Sequence, residues 1–329
     1  MLVGSIAYSY DPGRSLRDAS ELLSLATLLL APRLLRRRLH LRTVRDGLIV
    51  VATLCAVIGL GQFLFGYGAL DQRIRGPFSH YMTFAGVLLL ADCLLLARLM
   101  RSDGRTSGWW WAAVAIINAA LLGSLTRSAW VALFVVVTVL LLLRAPRLVL
   151  AYLPAGLLFF VLAPLPVIQR VASIADLESV SNYDRLCMLD AGGRMIRERP
   201  LLGLGPRMVE ELYPLYRHPT APRHSVSHLH NSYLQLAAER GIPGLLAMVW
   251  LLASGLVPAW RRFRGRGGFR GATADLDLGV ALSLVAFLIA GLFENNWGDT
   301  EVQRVVLFLV AVPHCLASIE DEEHGMERG

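Results

Sequence analysis

The chain is laid out in long apolar blocks separated by short polar joints, and that layout limits its possible folds more than any other property. Apolar runs are read at 47–65, 81–98, 109–125, 128–143, 148–163, 243–260, 278–293 and 303–318, with a weaker run at 21–31. Most approach the ~20 residues that a membrane-spanning helix requires. With 55% of its 329 residues hydrophobic and a mean hydropathy of +0.52, the chain carries far more apolar surface than one soluble core can bury. Lipid admits only elements that satisfy their own backbone hydrogen bonds. The expected fold is therefore all-α, a polytopic transmembrane helix bundle.

Every basic residue is arginine, and the arginines are unevenly placed. Segments 32–47, 98–107, 144–147 and 261–275 hold six, three, two and five of them, whereas the alternating segments 1–19, 66–80 and 294–304 hold two, two and one. Short loops rich in positive charge stay on the cytoplasmic side, so the first four segments are expected to share that face. The long segment 164–242, together with the chain around Arg127 and Glu294, then falls on the extracytoplasmic side. Orientation accounts for the net charge of +7, and no nucleic-acid partner is implied. Cys55, Cys93 and Cys315 lie in apolar runs and Cys187 stands alone in the long loop, so no internal disulfide is expected. The N-terminus lacks a basic start followed by a compact apolar run, and no cleavable signal peptide is read there.

These boundaries divide the chain into N-terminal spans at 1–163, an extracytoplasmic loop at 164–242, C-terminal spans at 243–319 and a charged tail at 320–329, expected to be solvated and frayed. The loop is long enough for a small helical subdomain. Within it, 184–198 places Leu186, Leu189 and Met195 among Arg185, Arg194 and Arg197 at near-helical spacing, and Pro200 ends the pattern. Pro200-Leu201-Leu202-Gly203-Leu204-Gly205-Pro206 reads as a tight turn. It follows a helix and not a strand, which argues against a nucleotide loop.

Chemistry is expected where the loop meets the next span. His230 and Asn231 are followed, after nine residues, by Gly241-Ile242-Pro243-Gly244. A helix starting near Asn231 can end at Gly241, and Pro243 suits the first turn of a second helix. His230 would stand at the mouth of the first, where an imidazole can act as a general base near neutral pH. Arg127 lies between two runs almost without a loop: it can anchor at the interface beside Trp130, or its planar guanidinium can grip phosphate. Arg185, Arg194, Arg197, Arg199 and Arg207 would together form a basic lining suited to a diphosphate ester. His218, His224, His228 and His230 invite a zinc reading, but no cysteine and no nearby carboxylate completes a shell, and no metal is expected. Glu294, with Asn295, Asn296, Trp297 and Asp299, caps a span and could support His230 or an arginine. Inside the runs, Asp92 stands near Arg98, which could pair with it.

These stretches resemble a known family, the bacterial O-antigen ligase and O-antigen polymerase superfamily. The resemblance rests on His230-Asn231 with Gly241-Ile242-Pro243-Gly244, on Glu198-Arg199-Pro200-Leu201-Leu202-Gly203-Leu204-Gly205-Pro206, and on Leu125-Thr126-Arg127-Ser128. Gly291-Leu292-Phe293-Glu294 and Arg75-Gly76-Pro77-Phe78 are also similar, and the likeness covers about 65–318. It implies a multi-pass bacterial inner-membrane glycosyltransferase, without cofactor or metal, working on the periplasmic face. Its donor would be a polyprenyl-diphosphate-linked glycan, carried by undecaprenyl diphosphate. Its acceptor would be a sugar hydroxyl of lipid A core in a ligase, or another glycan repeat in a polymerase. His230 matches the histidine thought to activate the acceptor, Arg127 the first of two diphosphate-binding arginines and Arg185 the second, with Asn231, Arg207 and Glu294 in support. Such proteins usually have more N-terminal spans than this chain shows, as if it began part-way through a larger bundle. A transporter of lipid-linked sugars would instead need charges near the bilayer centre and paired repeats.

Overall fold

The computed structural model describes residues 2–17, 21–66, 73–101, 108–152 and 180–326, with isolated positions 154, 156 and 168. The apolar run at 148–163 and the first part of the long loop fall largely outside the described residues. Twelve α-helices are defined among them: α1 (Leu2–Ala7), α2 (Pro12–Arg17), α3 (Glu21–Leu34), α4 (Arg38–Phe65), α5 (Tyr81–Leu99), α6 (Gly108–Gly123), α7 (Arg127–Arg144), α8 (Val180–Glu198), α9 (Met208–Tyr216), α10 (Ser232–Gly265), α11 (Ala274–Ala290) and α12 (Thr300–Met326). Helices α4, α5, α7, α10 and α12 are long and apolar enough to cross a membrane, and α6 is a shorter apolar helix. The chain is thus an all-helical polytopic bundle.

Helices α5 and α11 form the centre. Both are buried along most of their length, α5 from Thr83 to Leu99 and α11 from Ala274 to Ala290, and they pack chiefly on each other. The outer helices bury one stripe only. Leu54 of α4 is 55% exposed and Trp250 of α10 is 72% exposed, an outward apolar girdle that water would penalise and lipid accepts. Helix α8 behaves differently from the sequence expectation. Its buried face is Asp184, Cys187, Met188, Ala191 and Met195, whereas Leu186 and Leu189 point outward. Met188, Met195, Leu204, Met208 and Tyr213 build a second, smaller apolar cluster beneath the loop segment.

At one end of the bundle the charges neutralise each other. Arg45 and Asp275 form an ion pair in which each side chain is 1% exposed. Asp46 joins Arg45 at 2.8 Å and Arg98 at 3.2 Å. Arg262 bridges Asp277 at 3.0 Å and Glu320 at 2.7 Å, Arg266 also holds Glu320, and Arg38 reaches Glu323 at 2.6 Å. The guanidinium of Arg144 lies over the Phe269 ring at 5.1 Å. All four arginine-rich segments therefore meet at the same end. Two sequence expectations change here. Arg98 pairs with Asp46 while Asp92 accepts from Asn118 Nδ2 at 3.1 Å, because Asp92 faces α6. The tail from Glu320 is not frayed at its start: α12 continues to Met326, tied down by Arg262 and Arg266.

The other end is organised by two loops that lock together. Helix α10 breaks at Gly241, where φ is 71° and ψ 173°, a conformation open to glycine and strained for other residues. The carbonyls left at the end of the first half are met by the Pro200–Pro206 turn. Leu204 N donates to Ala238 O at 2.9 Å, Gly205 N to Glu239 O at 3.0 Å, and Ile242 N returns to Pro200 O at 2.8 Å. A Cβ on Gly203 would lie 2.3 Å from the Glu239 carbonyl carbon, and one on Gly241 would lie 2.3 Å from Leu201 O. These glycines allow two backbones to touch, which is why the two motifs occur together.

Candidate active site

The first half of α10 begins as the spacing predicts. Asn231 is its N-cap: the side-chain oxygen accepts from Leu234 N at 2.9 Å and the amide donates to Leu292 O at 3.0 Å. Ser232 N donates to Gly291 O at 2.8 Å and Ser232 Oγ to Glu294 O at 2.9 Å. The start of α10 is thereby stitched to the turn between α11 and α12, which brings Glu294 under His230. Nδ1 of His230 lies 3.0 and 3.1 Å from the two Glu294 oxygens.

Electrostatics fixes the roles in that pair. Burial alone would push the Glu294 carboxyl up, but the His230 hydrogen bond, the charges of both histidines and Arg185 together hold it below its usual range. An ionised carboxylate only accepts, so His230 Nδ1 carries the proton of this hydrogen bond. His228 stacks edge-on against His230 with ring centroids 4.3 Å apart, and its Nδ1 accepts the His230 backbone N–H at 3.3 Å. Burial, aided by the charges of His230, His80 and Arg223 and opposed by Glu294, pushes His228 down to about 4. It is neutral near pH 7.

Ligand atoms of His228, His230 and Glu294 lie within 4.8 Å of one another, close enough for a single metal ion. The carboxylate that the sequence reading found missing thus arrives from sixty-four residues away in the chain. Nδ1 of His228 and Nδ1 of His230 are, however, already engaged by hydrogen bonds.

Two cavities are lined by neighbours of this dyad, one by Phe293 and the other by His228 and Asn295. The first, of about 180 Å³, sets Arg127 and Arg185 against Val131, Leu186 and Phe293. Arg127 opens α7 and is 8% exposed, with Nη2 at 3.4 Å from Ser181 Oγ. Ser181 lies one turn before Arg185 on α8, which brings the two guanidinium groups to one hollow. The second cavity, of about 170 Å³, is polar: Arg207, Glu210, Ser227, His228, Gln235, Glu239, Asn295 and Asp299 contribute to it. Burial, with the Glu294 charge adding and a Thr83 hydrogen bond opposing, pushes Asp299 up to about 6.

Among the described residues, Leu125, Arg207 and His230 are the non-glycine residues with positive φ, at 51°, 60° and 48°. Each such position costs of order 1–3 kcal/mol and persists only where its surroundings impose it. All three belong to this end of the bundle: Leu125 precedes Arg127 by two residues, Arg207 lines the polar cavity and His230 carries the imidazole.

The structure therefore gathers His230, Asn231, Glu294, Arg127 and Arg185, and sets Arg207 on the opposite flank. It does not gather one continuous basic lining. Arg194 pairs with Asp190 at 2.7 Å, and Arg199 donates to Tyr8 O at 2.8 Å beneath the Tyr10 ring. His218 bonds Thr220 at 2.6 Å within its own loop. Phe293, Glu239 and Asp299 were not singled out as lining groups, although Gln235 and Glu239 stand at the i, i+4 spacing that aligns them on one helix face.

No curated protein matches the chain closely. Residues 111–249 match the family model of O-antigen ligase, a stretch that contains Arg127, Arg185, Arg207, His230 and Asn231 and stops short of Glu294. Through that segment, the chain is similar to the O-antigen ligase family.

Proposed function

We propose that this protein is a metal-independent membrane glycosyltransferase that moves a glycan from a polyprenyl-diphosphate carrier to a sugar hydroxyl, as a ligase acting on lipid A core. The observation that carries the reading is the His230–Glu294 dyad beside a cavity in which two guanidinium groups face apolar walls. That combination suits an amphiphile with a diphosphate head: the arginines match its charge and geometry, and Val131, Leu186 and Phe293 match the start of its lipid.

In the proposed step, His230 Nε2 takes the proton from the acceptor hydroxyl as that oxygen bonds to the anomeric carbon. The bond from that carbon to the diphosphate oxygen breaks, and its electron pair leaves with the diphosphate. Arg127 and Arg185 stabilise the charge developing there. Glu294 is a positioning residue: it holds the His230 tautomer and favours the imidazolium as it forms. The engagement of His228 Nδ1 and His230 Nδ1 by hydrogen bonds supports a reaction without metal. Convergence of the arginine-rich segments at the opposite end supports a site on the extracytoplasmic face of the inner membrane.

The test is transfer from a synthetic polyprenyl-diphosphate sugar to a core oligosaccharide by the purified full chain. His230→Ala is expected to lower kcat by about 10²–10⁴, the usual contribution of a positioned base, and EDTA to leave it unchanged. Unaltered turnover in His230→Ala overturns the assigned base, and loss with EDTA restored by a divalent cation overturns the metal-free step. In a deletion strain, full-length glycan accumulating on the carrier fits a ligase, whereas single repeats on the acceptor fit a polymerase.

A further inference from the structure

The polar cavity on the far side of the dyad has no part in the step above, and its composition is opposite to that of the arginine cavity. We infer that it is the acceptor subsite, where one hydroxyl-rich sugar ring is held by Glu239, Asp299, Gln235, Asn295 and Arg207 beside His230. This rests on the transferase reading and adds to it the place from which the attacking hydroxyl comes.

Three consecutive residues tie the cavity to the chemistry. Phe293 lines the arginine cavity, Glu294 holds His230, and Asn295 lines the polar cavity. His228 forms part of the polar wall while its ring lies against that of His230. The dyad thus stands between two hollows of unlike character, as a two-substrate transfer requires.

The lining selects for a sugar by exclusion. A diphosphate placed there would meet Glu210, Glu239 and Asp299, and Arg207 opposes a bare cation. A sugar hydroxyl both donates and accepts, so carboxylates, amides and a guanidinium can all serve it. The groups are also held ready. Gln235 and Glu239 are 7% and 8% exposed, joined by a 2.7 Å hydrogen bond from Gln235 Nε2, and Gln235 Oε1 accepts from Leu229 N at 2.9 Å. Polar side chains on a rigid helix lose little freedom when a ligand arrives.

The experiment is ligand-observed saturation-transfer NMR on the full chain in nanodiscs, with a panel of methyl hexosides and methyl heptosides as probes. At least one glycoside is expected to bind the wild type, at least about tenfold less tightly to Asp299→Asn and to Glu239→Gln, in line with loss of a hydrogen bond to a charged group. Binding should persist in Arg127→Ala and in the presence of inorganic diphosphate. Both cavity variants are checked for wild-type elution on gel filtration, and Asn295→Ala serves in place of either that fails. Absence of glycoside binding, indifference to the cavity variants, displacement by diphosphate or displacement by magnesium chloride each overturns the subsite. If glycosides bind as described yet no donor is consumed, the transferase reading fails and the sugar cavity stands. If donor is consumed through His230 and the cavity variants leave glycoside binding unmoved, the reverse holds.

Discussion

The two ends of the bundle use the same kinds of residue for different ends. At one, Arg45, Arg98, Arg262 and Arg266 are matched to Asp46, Asp275, Asp277 and Glu320, and charge is consumed in joining α4, α5, α10, α11 and α12. At the other, Arg127 and Arg185 line a hollow, and Glu294 of the adjoining turn is hydrogen-bonded to a histidine. Backbone strain follows the same division, since Leu125, Arg207 and His230 all lie at the second end. Burial of a charge therefore identifies a site only when the charge faces space.

The contrast breaks most readily at the first end. Arg45→Ala leaves Asp275 buried without its closest partner, and removing one member of a buried pair costs about 3–5 kcal/mol. A fall of that size in stability, measured by thermal unfolding in detergent, with kcat per folded molecule unchanged, is the expected outcome. A lowered kcat in the folded fraction would mean that the two ends are coupled.

Glu294→Gln should act in the opposite sense. A hydrogen bond to a charged group is worth about 1.5–3 kcal/mol, so kcat is expected to fall roughly 10- to 150-fold with KM for donor unchanged, and Glu294→Ala to fall further because no acceptor is left for Nδ1. A merely structural glutamate would lower the yield of folded protein and spare kcat. Stability carries a pH signature too. The folded-state pKa of Glu294 lies below its ordinary 4.5, so its contribution is present above that value and is lost as pH falls through the folded pKa. Wild type should lose that increment on acidification and Glu294→Gln should not.

The smallest effect is expected at Asn231. Loss of an N-cap costs about 1 kcal/mol, so Asn231→Ala should lower stability by that amount and, by loosening the entry to α10, reduce transfer a few-fold. An effect as large as that of His230→Ala would assign Asn231 a direct role in the reaction.

Much of this was legible in sequence because it follows from local rules. Apolar length located α4, α5, α6, α7, α10, α11 and α12, arginine counts grouped the segments that meet at one end, and the Asn231, Gly241 and Pro243 punctuation located the break in α10. What sequence left undecided is pairing across the fold, such as whether Glu294 supports His230 or an arginine. Glu294 reaches His230 only because Ser232 and Asn231 bond the α11–α12 turn. Asp92 turns to Asn118 and not to Arg98, because helix rotation, invisible in a hydropathy run, decides which neighbour a polar residue meets. Leu186 and Leu189 counted as apolar but lie on the outward face of α8, because Asp184, Cys187, Met188, Ala191 and Met195 occupy its buried face.

The interlock at Gly241 turns the nine residues after Asn231 into a ruler. One end is fixed by hydrogen bonds to the Pro200–Pro206 turn and the other by those to Gly291, Leu292 and Glu294. A helix advances about 100° per residue, so adding or deleting a single residue in that stretch would swing one anchor away while the other held. The imidazole of His230 is aimed by chain length as much as by its neighbours.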